Sequence, residues 1–430
     1  ATRAPPRARR RPYPPHPAGD RATQPDPSRT AAMSETRGDG PSVLVVGGGT
    51  AGHIEPALAV GEAVNALDPT ARVTAVGTPR GLETELVPRR GVPLELVDPV
   101  PLPRHIGGDL VRLPGRLVRA VRGARDVLRR TEADVVVGFG GYACVPVYLA
   151  AAMAPRRGRV PIVVHEANSR AGIANKLGAR FAVATLAAFS GSGLDAEVVG
   201  NPVRREIAAL DRAGLRAEAR EAYGLDPDAP TVLVMGGSQG ARSLNTAMAG
   251  VAEEFSRAGV GVLHAVGPKN TADAPRVPPG GAPYVAVPYL DRMDLAYSAA
   301  DLIVCRSGAI TVAEISAVGL PAVFVPLPHG NGEQALNARD LVAGGAALMV
   351  EDVDLDPDYL RSTVLPLALD PGRLETMSVA AVRGGSRDAA EVVARIALDA
   401  VAEAGRCPGA PRDSRAGSRP GPPPRTCPRP

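Results

Sequence analysis

A chain of 430 residues is long enough for about two domains, each with a full hydrophobic core. Its net charge of +4 sits in the tails, since residues 1–40 hold eight Arg against four acids and residues 406–430 six Arg against one; the region between is mildly acidic, so bulk charge makes no case for nucleic-acid binding. Four cysteines without a CxxC pair give no disulfide framework or zinc site, and no run of about 18 uncharged apolar residues is present to cross a membrane.

Residues 1–40 are expected to be a disordered Arg/Pro-rich extension, and 406–430 a disordered tail, because both are too poor in apolar residues to offset the entropy of ordering. Met33 before Ser-Glu-Thr reads as a start, and no apolar signal-peptide core follows the early arginines. From residue 41 the pattern is α/β. The apolar run 43–46 enters Gly47-Gly-Gly-Thr-Ala-Gly-His53 and then a helix, an arrangement expected to turn backbone N–H groups toward an anion. Gly47-x-Gly49-x-x-Gly52 also matches the dinucleotide fingerprint, but the second strand, 72–76, ends in Gly77-Thr78 without the acid that would bond a ribose. A nicotinamide or flavin cofactor and a turn without ligand are therefore the lesser readings, and no cofactor is expected.

Further strands are expected at 134–137, 162–164, 182–185 and 197–199, Val/Ile-rich as in a parallel sheet covered on both faces. Gly138-Phe-Gly-Gly-Tyr142 follows the strand at 134–137, and His165-Glu-Ala-Asn168 follows the one at 162–164. Both loops thus belong to the sheet edge that carries the first glycine turn, although capping the next helix is a plainer role for 165–168. Between residues 104 and 130, arginines at 104, 112, 116, 119, 122, 125, 129 and 130 interleave with apolar residues. The resulting basic face suits an anionic leaflet or an ordinary surface helix.

Asn201-Pro202 breaks the chain as a hinge. Strands follow at 232–235, 262–266, 284–287, 302–305 and 322–325, the first running into a second glycine turn, Gly236-Gly-Ser-Gln-Gly240, and a helix. One strand, turn and helix opening per half suggests two nucleotide-type domains closing over a cleft. A last helix at about 387–404 could pack on either. Asp226-Pro-Asp228 and Asp356-Pro-Asp358 have the DxD spacing of metal-using transferases, but read better as turns or helix caps; no protein-bound metal is expected.

Seven motifs carry a resemblance: Gly47 to His53, Gly138 to Tyr142, His165 to Asn168, Gly200-Asn-Pro-Val-Arg204, Gly236 to Arg242, Cys305-Arg-Ser-Gly-Ala-Ile-Thr-Val-Ala-Glu314 and His329-Gly-Asn-Gly-Glu-Gln334. In this order, over about residues 41–404, the chain resembles the MurG family of peptidoglycan glycosyltransferases. The resemblance implies an α/β GT-B architecture, two Rossmann-like domains with parallel sheets facing across a cleft. Residues 41–200 would form the acceptor and membrane-facing domain, 201–385 the UDP-sugar domain and 386–405 a C-terminal helix. It implies inverting transfer of N-acetylglucosamine from UDP-N-acetylglucosamine to the C4 hydroxyl of the muramyl sugar of lipid I, forming lipid II, at the cytoplasmic side of the cell membrane. The anionic inner leaflet and other cell-wall synthesis proteins would be partners, with no nucleic acid. A UDP-sugar transferase for another lipid or soluble acceptor, and a non-catalytic nucleotide-binding protein, are the alternatives.

Carried onto this sequence, the resemblance implies substrate contacts at Thr50, Ala51, Gly52, Asn168, Arg204, Ser238, Leu290, Ala309, Ile310, Thr311, Val312, Ala313, Glu314, Glu333 and Gln334. Within that set, Ser238 and Arg204 would meet phosphate, Glu314 both ribose hydroxyls, Leu290 uracil through its backbone, and Glu333 and Gln334 the donor sugar. Gly49, Gly140, Gly141 and Tyr142 would form acceptor or phosphate loops. The muramyl hydroxyl needs a base. His53 is the first candidate, kept neutral by its helix N-terminus, and Glu166 the second.

Overall fold

The computed structural model describes residues 40–100, 108–154, 159–237, 240–270, 274–329 and 332–405. Both tails, Ser238 and the arginine at 104 lie outside the described residues, as do the side chains of 108–112.

Two parallel sheets organise these residues. The first has seven strands in the order β3-β2-β1-β4-β5-β6-β7: β1 Ser42–Val46, β2 Arg72–Gly77, β3 Leu94–Leu96, β4 Val135–Gly138, β5 Ile162–Glu166, β6 Ala184–Ala187 and β7 Glu197–Val198. The second has six in the order β10-β9-β8-β11-β12-β13: β8 Thr231–Met235, β9 Gly261–Ala265, β10 Tyr284–Val287, β11 Leu302–Cys305, β12 Ala322–Phe324 and β13 Ala347–Met349. Each sheet reverses direction of winding beside its first strand, between β1 and β4 and between β8 and β11, so each opens a crevice at its strand C-termini.

Unbroken apolar strands arise because each serves two cores. Val43 and Val45 face one layer with Ile54 and Leu58, while Leu44 and Val46 face another with Ala124, Val127 and Tyr148. In β8, Leu233 and Met235 divide from Val232 and Val234 in the same way. Two short edge strands, β3 and β13, have no counterpart in the sequence reading. Strand β5 is two residues longer than expected, so His165 and Glu166 end the strand instead of following it.

The last helix, Ala389–Ala404, packs on the first sheet's core through Val393, Ala394 and Ala397, so the chain returns to the half from which it began. The two crossings lie together. Gly200 has φ +83°, and a Cβ there would come within 2.5 Å of Ser386 Cβ; Ser386 Oγ donates to Val199 O at 3.2 Å. His165 Nε2 meets Gly200 O at 2.9 Å and Asn201 Nδ2 donates to Ala167 O at 3.3 Å, fastening this crossing, where the sequence suggests a hinge, to the first sheet.

Candidate functional site at the strand C-termini

The first turn is built by steric exclusion. A Cβ on Gly47 would sit 2.3 Å from His53 O, and Gly49 adopts φ +89°. Thr50 is extended and accepts from His53 N and Ile54 N, starting the helix Ala51–Leu67. His53 therefore falls in the first helical turn, with Nδ1 3.3 Å from Gly48 O and from Thr50 Oγ1. A carbonyl can only accept, so we assign the imidazole proton to Nδ1, leaving the Nε2 lone pair unprotonated. That edge faces the second glycine loop: a Cβ on Gly140 would lie 3.2 Å from both His53 Cδ2 and Nε2. Burial pushes the His53 pKa down, against the opposing charge of Glu166, the Gly48 carbonyl, and the charges of Glu333 and Glu83. Burial is the largest of these influences on the imidazole, and it acts in the same direction as the helix N-terminus.

The loop after β4 meets the first turn backbone to backbone. Gly140 and Gly141 have φ +104° and +86°, and a Cβ on Gly141 would lie 2.3 Å from Gly48 O. Cys144 Sγ pins this loop to β1 through Val46 O at 3.3 Å and Gly140 O at 3.1 Å. Tyr142 beside it is half-exposed. The two glycine loops thus share one edge, as the strand order requires.

Glu166 behaves differently from His53. Its Oε1 accepts from Asn168 N at 3.0 Å and Asn168 Nδ2 at 3.4 Å; its Oε2 accepts from Gly172 N at 3.0 Å and Asn175 Nδ2 at 2.9 Å. This buried carboxylate braces the loop leading to the helix Ile173–Gly178, close to the plain capping role. His165 is turned to the hinge, its pKa lowered to about 4 by burial against the Gly200 carbonyl.

The anion-holding role of the first turn is corrected in part. The Gly49 N–H donates to the Glu83 carboxylate at 3.1 Å, and so is not presented to a ligand phosphate. Glu83 was missed by sequence reasoning: it lies past the end of β2, where only the fold brings it back under the turn.

In the second half, Glu314 is buried on the helix Ala309–Val318, which excludes a solvated carboxylate. Its Oε1 accepts from Arg204 Nε at 3.1 Å and Nη2 at 2.9 Å, and its Oε2 from Tyr297 Oη at 2.8 Å. The residues expected at ribose and at phosphate are thus bonded to each other. Burial opposes the Arg204 charge, but Glu314, Glu55 and Glu206 outweigh it and raise its pKa. Leu290 buries its side chain after β10, while the adjoining Tyr289 is half-exposed and feels the charges of Asp291, Arg204 and Glu55. Tyr289 carried no signal in the sequence beyond that adjacency.

Ala309 to Ala313 form the start of the Glu314 helix. Glu333 and Gln334 open the helix Glu333–Ala343, and Gln334 Oε1 accepts from Leu327 N at 3.0 Å. Asn337, one turn on, bridges the halves: its Oδ1 accepts from Ser169 N at 2.9 Å and its Nδ2 reaches Ser307 O at 3.5 Å. Spacing of three from Gln334 was the available clue. Asp226 accepts from Asp228 N and Ala229 N as an Asx turn, and Asp356 caps the helix Pro357–Tyr359.

The helix Gly108–Arg130 is amphipathic, but Ala120, Val121, Ala124, Val127 and Leu128 are buried in the first domain's core. Much of its apolar side is thus spent on packing, leaving Arg119, Arg122 and Arg125 exposed beside the half-exposed Val118.

The chain matches the model of the glycosyltransferase family 28 N-terminal domain over residues 43–187 and that of the family 28 C-terminal domain over 231–393. It is 64% identical over 369 residues to a Rhodococcus jostii protein named UDP-N-acetylglucosamine–N-acetylmuramyl-(pentapeptide) pyrophosphoryl-undecaprenol N-acetylglucosamine transferase, covering 84% of this chain and 96% of that one. A Mycobacterium avium protein of the same name is 57% identical over 396 residues, covering 92% and 97%. Among solved structures, Acinetobacter baumannii MurG superimposes with a TM-score of 0.66 at 30% identity, covering 84% of this chain and 99% of that one.

Proposed function

The chain belongs to glycosyltransferase family 28, with a GT-B fold, and from that premise we propose that it transfers N-acetylglucosamine from UDP-N-acetylglucosamine to the C4 hydroxyl of the muramyl sugar of lipid I, giving lipid II and UDP. The observation that carries this reading is the identity of 64% to a transferase so named, running through both domains. Residues 41–200 are the acceptor side, residues 201–385 the donor side, and residues 386–405 the helix that returns to the first.

The hydroxyl oxygen attacks the anomeric carbon on the face opposite UDP, the bond from that carbon to the β-phosphate oxygen breaks, and UDP leaves with the electron pair. The hydroxyl proton passes to His53 Nε2. His53 takes this role before Glu166, whose two oxygens already hold four donors. Glu314 exchanges Arg204 for the ribose hydroxyls, which frees the guanidinium for the diphosphate, where permanent charge and planar donors suit it. Ser238, Leu290, residues 309–313, Glu333 and Gln334 complete the donor site; Thr50, Ala51, Gly52, Asn168 and the loop residues Gly49, Gly140, Gly141 and Tyr142 form the opposite wall.

UDP release from the donor should depend on a short-chain lipid I analogue, and release without acceptor at the same rate would contradict the reading. The same assay should keep turnover in EDTA, because the permanent charge of Arg204 is available to the leaving diphosphate. Loss restored by a divalent ion would show that the leaving diphosphate is neutralised by metal instead of by Arg204.

No helix among the described residues is long and apolar enough to cross a membrane. A peripheral site on the anionic cytoplasmic leaflet fits the exposed arginines at 119, 122 and 125, each contributing about 1 kcal/mol near such a surface. Replacing all three by Gln should weaken binding to phosphatidylglycerol vesicles by about 100-fold or somewhat more, with UDP affinity unchanged. Unchanged partitioning would remove this helix from the membrane face.

A further inference from the structure

Glu83 has no exposed surface and begins the helix Glu83–Arg89. A buried carboxylate is costly unless its oxygens are bonded, and these are. Oε1 accepts from Thr78 N at 2.6 Å and Thr78 Oγ1 at 2.8 Å, while Oε2 accepts from Gly49 N at 3.1 Å. Three glycines leave room for it. A Cβ on Gly77 would come within 2.3 Å of its Cγ, one on Gly81 within 1.8 Å of its Oε2, and one on Gly48 within 3.1 Å of its Oε1. The end of β2, the following turn and the glycine loop therefore close around one carboxylate.

That loop is the support of His53. Gly49 is the residue Glu83 holds, and its neighbour Gly48 supplies the carbonyl 3.3 Å from His53 Nδ1. Resting on the transfer reaction proposed above, we propose that Glu83 is a positioning residue which locks the glycine loop and, through the Gly48 carbonyl, fixes the tautomer and aim of His53. The same contact distinguishes this turn from a dinucleotide site, since its carboxylate takes an amide that would otherwise face a phosphate.

Glu83→Gln preserves shape but offers one acceptor oxygen to three donors. With that oxygen on Thr78, the new amide NH2 faces the Gly49 N–H, donor against donor. Turnover should fall about 10- to 100-fold, as expected for a small displacement of a catalytic group, with KM for UDP-N-acetylglucosamine within about twofold. The charges of Glu166, Glu333 and Glu83 each favour the His53 imidazolium. Removing one moves the acidic limb of the kcat profile to lower pH, which a purely structural role would not do.

Nitrogen-15 NMR of the His53 ring reads the positioning without turnover. The full-length wild-type chain should hold its proton on Nδ1, and the Gln variant should show a lower pKa and mixed tautomers. An unchanged ring and limb in a folded Glu83→Gln protein overturns the inference. A wild-type protein with the ordered ring but no transfer to lipid I overturns the reaction reading alone. If Glu83→Gln does not fold, Thr78→Val carries the test by removing one donor: kcat lowered several-fold at constant KM supports the inference, and unchanged kcat overturns it.

Discussion

His53→Ala is expected to lower kcat by about 10²- to 10⁴-fold, the usual range for a general base, while UDP affinity changes little. The ring stands in the first turn of its helix, bonded through Nδ1 to Gly48 O, with its Nε2 edge against Gly140. Glu314 and Arg204, proposed above to hold the donor, belong to the other half, so removing the imidazole should leave nucleoside binding intact. Burial lowers the His53 pKa from 6.5, and only the neutral ring accepts a proton; wild-type kcat should therefore fall as pH drops through a value below 6.5. His53→Ala should lose that limb. A near-wild-type rate, or collapsed UDP affinity with kcat preserved, would leave His53 as a binding residue. Glu166→Ala is expected to be slow for another reason, since four donors in the loop lose their acceptor.

Glu314→Ala is expected to weaken UDP binding about 10- to 100-fold by calorimetry. Two ribose hydroxyls losing a carboxylate at about 1.5 to 3 kcal/mol each would give more. The free protein, however, already uses that carboxylate for Arg204 and Tyr297, and giving up these bonds on binding offsets part of the gain. The substitution should also lower the melting temperature, because it strips a buried tyrosine hydroxyl and a largely buried guanidinium of their partner. Unchanged UDP affinity would remove Glu314 from the nucleoside site.

Much of this arrangement was legible in the chain because it follows from local rules. Strands buried on both faces read as continuous apolar runs, as β1 and β8 do, and parallel strands must present their C-terminal loops on one edge, which brings Gly140 to His53. What was not legible depends on long separations. Arg204 and Glu314 are 110 residues apart, and nothing in either motif announces that they bond. Ser169 and Asn337 are 168 apart. The last helix has an apolar face that the sequence alone does not assign to either core, and its packing on the first sheet follows from the crossing at Ser386, which bonds Val199 O. Edge strands β3 and β13, at three residues each, are too short to stand out from loop. Glu83 was overlooked because the dinucleotide pattern looks for its acid at a strand end that meets the ribose, whereas this acid turns back beneath the glycine turn. In the basic helix the arginine spacing is legible, but the commitment of Val121, Val127 and Leu128 to the core is not, because it depends on which strands the helix covers.

The structure of the product tests the central claim most directly. Full-length protein, UDP-N-acetylglucosamine and a short-chain lipid I analogue should yield UDP and a single lipid-linked disaccharide, whose NMR spectrum shows N-acetylglucosamine joined to the muramyl C4 oxygen with β configuration. An α linkage, attachment at another hydroxyl, or UDP formed with the sugar released to water would contradict inverting transfer to lipid I.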